Sequence, residues 1–278
     1  MISNSSMAEE FWSTGRRGDC PVIDMHAHMG PWPGIFFPDA APEAMVARMD
    51  QCGVRMLAFC HHAALFCPEI GNAASVDAVR RFPDRLRAYL GVNPHYPRQI
   101  AADLAGWEAH RDVYVGLKLL AGYHQVPWDA PAYRAAWEFA DARGLLMLLH
   151  TWAGSRFDGA DMVRRMAPRY GRARLLLGHS LHGDWESAIA LAREFPNIWL
   201  ELTAVLDDRG VLEKFCAAGL SKRLLFGTDL PWFNPHHGIG AVLSADITDD
   251  DRHDILHRNA ESLLGMGTTE GPGISGKL

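Results

Sequence analysis

A single-domain α/β chain closed into a (β/α)8 TIM barrel is the fold the sequence predicts, on three observations. Eight short apolar runs suited to buried parallel strands recur along the chain. Their starts lie between 23 and 32 residues apart, room for a strand, a crossover helix and two loops. Helical patterns fill the gaps, and no Pro/Ser-rich linker divides the chain. Eight such units close a barrel. A doubly wound open sheet would favour a G-x-G-x-x-G turn after an early strand, and the sequence has none.

The first run is VIDMHAH, from Val22. Helical PEAMVARMDQCG (42 to 53) follows, with Pro in its first turn, Gly past its end, and Met45, Val46 and Met49 on one stripe. VRMLAFC from Val54, LRAYLGV from Leu86 and VYVGLKLL from Val113 are the next strands. DAPAYRAAWEFADARG (129 to 144) turns Tyr133, Trp137 and Ala140 inward and stops at Gly144. LLMLLHTW from Leu145 and RLLLGHS from Arg174 are the fifth and sixth strands. Helix DWESAIALAREFP (184 to 196) opens with an acid, which favours a helix N-terminus. NIWLEL from Asn197 and RLLFGTD from Arg223 complete the eight, and DDDRHDILHRNAESLLG (249 to 265) is the last helix.

Residues 19–266 therefore read as the barrel. Residues 1–18, with no apolar core segment of signal-peptide type, and the Gly-rich, non-periodic tail 267–278 read as disordered flanks. Apolar residues make up 48% of the chain and charged residues 22%, ordinary for a globular protein. A formal charge of −6 with no Lys/Arg cluster offers no surface to nucleic acid. Five cysteines without C-x-x-C spacing read as reduced thiols, and no apolar stretch reaches membrane-spanning length. The expectation is a cytoplasmic protein with a small-molecule substrate and no membrane partner; homo-oligomerisation stays open.

With 14 histidines in 278 residues, composition alone supplies an H-x-H about 0.7 times, so His26 and His28 mean little by themselves. Their position gives them weight. Chemistry in such a barrel sits at the C-terminal strand ends. There lie His26, His28, His61, His62, His95, His150, His179 and His182, with His124, His236 and His237 in the following loops. Only His110, His253 and His257 fall on helices or their far ends. Residues i and i+2 of a strand share a face about 6.6 Å apart, so His26 and His28 can grip one ion. His150 and Asp229, ending strands five and eight, can reach the same point. Three imidazoles and a carboxylate suit Zn2+, most simply, or Mn2+ or Fe2+.

H-x-H on the first strand, His ending strands five and six, Asp in FGTDLPW and the closing RNAESLLG resemble the amidohydrolase superfamily, within it the amidohydrolase-related group that includes metal-dependent decarboxylases. The resemblance runs from Val22 to Gly265. It implies a mononuclear metal site of His26, His28, His150 and Asp229, with His179 near the reacting group. Lys118 falls where binuclear members carry a carboxylated lysine; one ion is expected rather than two.

The function expected first is hydrolysis of a small amide, lactone or ester by a metal-activated water, with Asp229 as the proton carrier and His179 offsetting charge. The alternative is non-oxidative decarboxylation of a small aromatic acid, favoured if Arg156 or Arg209 clamps a carboxylate near the metal. A metal-binding protein without turnover ranks third. Lys118, Trp152 and Arg156 are substrate-contact candidates, and His61, His62 and His95 weaker ones. Glu201 either orients a ligand histidine or pairs with a cation. Asp24 is expected deeper, at the barrel bottom. Trp32, Phe36, Phe37, Trp128, Trp152 and Trp232 are candidate pocket walls.

Overall fold

The computed structural model describes residues 5–15 and 20–266. Eight parallel strands run in the order of the chain: β1 (Val22–Met29), β2 (Val54–His61), β3 (Leu86–Val92), β4 (Tyr114–Leu119), β5 (Leu146–Trp152), β6 (Arg174–His182), β7 (Ile198–Glu201) and β8 (Leu224–Leu225). Each is near-continuously apolar because helices cover one face and the barrel interior the other.

β8 is shorter than RLLFGTD suggests. Its continuation leaves the ladder and bonds to β1 instead. Asp229 N–H donates to His26 O at 2.7 Å, while Met25 N–H and His28 N–H donate to Phe226 O (2.9 Å) and Leu230 O (2.7 Å). These bonds close the barrel and tie the Asp229 loop to the H-x-H strand.

The floor of the interior is apolar, built from Ile23, Met25, Met56, Ala58, Tyr89, Leu148, Leu176 and Leu225. Val22 and Ala27 belong instead to the outer core between strands and helices. The β1–β2 register shifts between Asp24 and Ala27. This bulge changes which alternate residues face inward, so His26 and His28 stand above Ile23 and Met25 on the axis side. Bulges recur beside active sites for this reason.

The expected helices form with small departures. Pro42–Cys52 ends on Gly53 in the left-handed region, where glycine carries no Cβ penalty. The 129–144 segment opens with a 3-10 turn, Pro131–Tyr133, before the α-helix Arg134–Arg143. Asp184 caps Trp185–Glu194. In the last helix, Thr248 and Asp251 form a capping box, and a π turn over Asp254–Arg258 interrupts the α-helix.

The N-terminal flank corrects an expectation. Within the segment read as disordered, Ser6–Thr14 forms a helix capped by Ser5, and it buries Met7, Ala8 and Phe11. Its short length hid a single apolar stripe. The expected disordered tail, 267–278, lies outside the described residues. No disulfide forms among the described residues, and no helix among them is long and apolar enough to cross a membrane.

Candidate metal centre

A cavity of about 260 Å³ opens at the C-terminal end of the strands, near the small end of ligand pockets. His28, Lys118, His150, His179 and Asp229 line its polar floor, and Trp32, Tyr123, Trp152, Trp232 and Phe233 its walls.

Each imidazole at the floor ties Nδ1 to an oxygen. His26 Nδ1 lies 2.6 Å from Glu201 Oε2, His28 Nδ1 3.1 Å from Cys60 O, His150 Nδ1 3.2 Å from Asp158 Oδ2 and His179 Nδ1 3.3 Å from Thr203 O. An acceptor there takes the Nδ1 proton and leaves Nε2 with the lone pair. All four rings are thereby set to offer the same nitrogen.

His26, His28 and Asp229 bring one ligand atom each within 4.8 Å of one another. Asp229 Oδ1 stands 3.3 Å from His26 Nε2 and 3.2 Å from His28 Nε2. It is buried yet has no hydrogen-bond partner among the described residues. A buried unpartnered carboxylate oxygen is costly, whereas separations near 3.3 Å are the edges of a tetrahedron whose centre lies about 2.0 Å from each corner, the zinc–nitrogen distance. The donor set fits a divalent cation. The group that approaches it is cationic too: Lys118 Nζ lies 2.9 Å from His26 Nε2. His150 sits outside the tight trio, its ring centroid 4.9 Å from that of His179.

Electrostatics favour this use. Burial, then the Lys118 cation, lowers the His26 pKa well below its usual value. Burial and His150 do the same for His179. Burial pushes Asp229 upward, but the imidazoles around it outweigh that and hold its carboxyl well below the usual range. His26 and His179 are thus held neutral and Asp229 ionised, the forms that ligate metals. Burial lowers Lys118, opposed by Asp229, Cys60 and Glu201.

Glu201 accepts hydrogen bonds on both carboxylate oxygens, and with His26 and His179 it forms a second buried cluster of possible donors. Its Oε2 accepts from His26 and from His179 N–H (3.2 Å), and its Oε1 accepts from Thr203 N–H (2.7 Å) and Oγ1–H (2.6 Å). Gly227 makes room for it, since a Cβ there would stand 2.0 Å from Glu201 Oε1. Asp24 is not part of the barrel bottom. Its Oδ1 accepts from His26 N–H (3.0 Å) and Thr228 N–H (3.3 Å), and its Oδ2 from Thr228 Oγ1–H. It braces the loop that carries Asp229, and burial pushes its carboxyl up to about 8.

Several candidates lie elsewhere. Arg156 is exposed and stacks 4.6 Å from the Phe157 ring instead of reaching substrate. Arg209 is exposed on a separate cleft with Asp207 and Asp208. Both follow strand ends in sequence, but their loops turn outward. His95 bonds His124 O at 2.8 Å, and His61 caps a helix through Ala63 N–H. Trp128 is core, packed edge-on against Trp137. His62 is a wall, stacked 4.8 Å from His28 and accepting from Trp232 Nε1–H at 3.0 Å. Sequence reading missed Asp158, eight residues past His150 in an irregular loop, and Tyr123. A carboxylate close behind a ligand histidine was the signal for the first.

The amidohydrolase family model matches residues 23–266. No curated protein matches the chain. Solved structures similar to it include 2,6-dihydroxybenzoate decarboxylase from Rhizobium (18% identity, 89% of this chain, 98% of that one, TM-score 0.69). Another is 5-carboxyvanillate decarboxylase from Sphingomonas paucimobilis (14%, 89%, 99%, 0.69). A third is a dihydroxybenzoic acid decarboxylase from Polaromonas sp. JS666 with bound manganese and 2-nitroresorcinol (16%, 89%, 97%, 0.72). At these identities the likeness is one of fold.

Proposed function

The chain belongs to the amidohydrolase family, and from that premise we propose that it is a metal-dependent, non-oxidative decarboxylase of a small hydroxylated aromatic acid. The observation that carries this reading is the aromatic wall of the cavity above the donor set. Trp32 meets Trp232 and Tyr123 edge-on at 5.4 and 5.8 Å, and Trp152 stacks 6.0 Å from His150. Such walls fit one planar ring and exclude water. The folds of three named decarboxylases support the same choice.

A divalent ion, Mn2+ as in the Polaromonas protein or Zn2+ or Fe2+ by donor type, would be held by His26, His28, His150 and Asp229 and would supply Lewis acidity toward the substrate's oxygens. Lys118 is the cation available to a substrate carboxylate in the cavity, the two arginines being outside it. Asp229 is ionised at neutral pH and so enters as a base. It takes the phenolic proton as the ring binds, then returns it to the ring carbon as the bond to the carboxylate breaks and carbon dioxide leaves. The phenolate regains a proton from solvent, so an acid gives an arene and carbon dioxide. His179, neutral and fixed by Thr203 O, offers Nε2 beside the reacting carbon.

One observation favours hydrolysis as a second reading: neither Arg156 nor Arg209 lines the cavity. There Asp229 would take the proton of an attacking water and pass it to the leaving group.

Protein loaded with Mn2+ or Zn2+ and offered hydroxybenzoates, lactones and amides separates the two. We expect carbon dioxide from a hydroxybenzoate, a single ring deuterium when the reaction runs in D2O, and loss of both on chelation with recovery on metal return. Turnover of a lactone or amide with no carbon dioxide would make the protein a hydrolase; metal uptake with no turnover of either class would leave a binding protein.

A further inference from the structure

We propose a second divalent-metal site, of zinc type, at the opposite end of the barrel from the cavity, formed by Cys20, His253 and His257. Cys20 stands two residues before β1 begins, hence at the N-terminal end of the strands. Its Sγ and one ring nitrogen from each histidine all lie within 4.8 Å of one another. The thiol is 1% exposed.

The two imidazoles are already turned to a common point, with His253 Nδ1 3.0 Å from His257 Nε2. Behind His257, Nδ1 lies 3.1 Å from Glu261 Oε2. That carboxylate takes the Nδ1 proton and leaves Nε2 as donor, the arrangement Glu201 imposes on His26. Glu261 is 4% exposed, and its Oε1 has no hydrogen-bond partner among the described residues; Arg55 comes no nearer than 3.6 Å. A buried carboxylate this poorly compensated is explained when the imidazole it faces carries positive charge from an ion.

Helix geometry gives an independent sign. His253, His257 and Glu261 follow at four-residue spacing, and the backbone between the histidines is the π turn Asp254–Arg258. Such turns cost helix stability and recur at functional sites. One thiolate and two imidazoles select Zn2+ over Mg2+, Ca2+ or Mn2+. Binding forms the sulfur–zinc bond and releases the Cys20 proton to solvent. The ion would staple the segment entering β1 to the last helix, across the seam where β1 and β8 close the barrel.

The test uses the whole chain carrying His26→Ala and His28→Ala, stripped with chelator and refilled with Zn2+ or with Co2+ as a spectroscopic probe. We expect stoichiometric metal to remain, a thiolate-to-cobalt charge-transfer band in the near ultraviolet, and a higher Tm with Zn2+. Cys20→Ser and His257→Gln should each remove the band and the Tm rise. The band is also read in the unsubstituted chain, so the outcome does not depend on any variant folding. No band in that chain, or a band that survives Cys20→Ser, overturns the site and leaves the cluster a hydrogen-bonded pair beside a buried thiol.

Discussion

Each imidazole at the cavity floor is held by an oxygen behind it, so the strength of the centre is set as much by acceptors as by ligands. Removing the charge behind His26 tests this. Glu201→Gln keeps the volume but weakens the grip on the Nδ1 proton, and metal affinity should fall about 10- to 100-fold, read by equilibrium dialysis with elemental analysis. Affinity within a factor of about two of the parent would show that Glu201 acts only on Thr203 and the His179 backbone. Asp229→Asn should keep part of the metal and lose turnover, because the amide cannot carry the proton. His62 gives a pH prediction. Burial, then His28, pushes its pKa down to about 3 from 6.5. The unfolded chain therefore binds the proton first as pH falls, and the stability tied to neutral His62 is present above pH 6.5 and lost between 6.5 and about 3. One proton corresponds to about 1.4 kcal/mol per pH unit. His62→Gln should shallow the acid limb of unfolding free energy against pH by that slope; an unchanged limb would mean that His62 is as easily protonated folded as unfolded.

At the scale of elements, the ends of strands decide where donors point. His179, Ser180 and Leu181 all have positive φ (66°, 51° and 57°), as does Asp229 (60°). For residues with a Cβ this is strained backbone, kept only where surrounding bonds over-determine it. Here the bonds are visible: Ser180 Oγ–H donates to Glu201 O at 2.7 Å, Thr151 Oγ1–H to Gly178 O at 2.6 Å, and Leu181 N–H to Thr151 Oγ1 at 2.8 Å. Thr151→Val keeps the shape and removes both Thr151 bonds. It should cost about 1–3 kcal/mol in urea unfolding and lower kcat more than it raises KM, since His179 moves while the walls stay. A stability loss with unchanged kcat would show that the turn does not position His179. The same features set what sequence could tell. Strand starts were legible because buried parallel strands are uniformly apolar. The β1 bulge and the departure of β8 were not, because a one-residue change of face or a switch of hydrogen-bond partner leaves the apolar pattern intact.

For the whole molecule, the barrel was legible from spacing, and the convergence of His26, His28, His150, His179 and Asp229 from the rule that chemistry gathers at one rim. What failed was the direction of loops. Arg156 and Arg209 sit at the right chain positions yet face solvent, while Asp158 and Tyr123 reach inward, and no local pattern separates the two cases. The N-terminal helix failed for another reason: its apolar stripe gains meaning only against a partner that lies far along the chain. Phe11 meets the His236 ring at 6.1 Å, Ser5 Oγ–H donates to Asp249 Oδ1 at 2.7 Å, and His236 Nε2 lies 3.1 Å from Gly15 O. These contacts place the helix along Pro235–Ser244, on the outside of the barrel and away from the donor set. Phe11→Ala should therefore act on stability alone. Emptying this buried ring site costs about 3 kcal/mol, which for a chain of this size lowers Tm by roughly 6 to 12 °C, with metal content and kcat at 25 °C unchanged. A drop in kcat at constant Tm would instead make the helix a support of the loop that follows β8, and so of Asp229 itself.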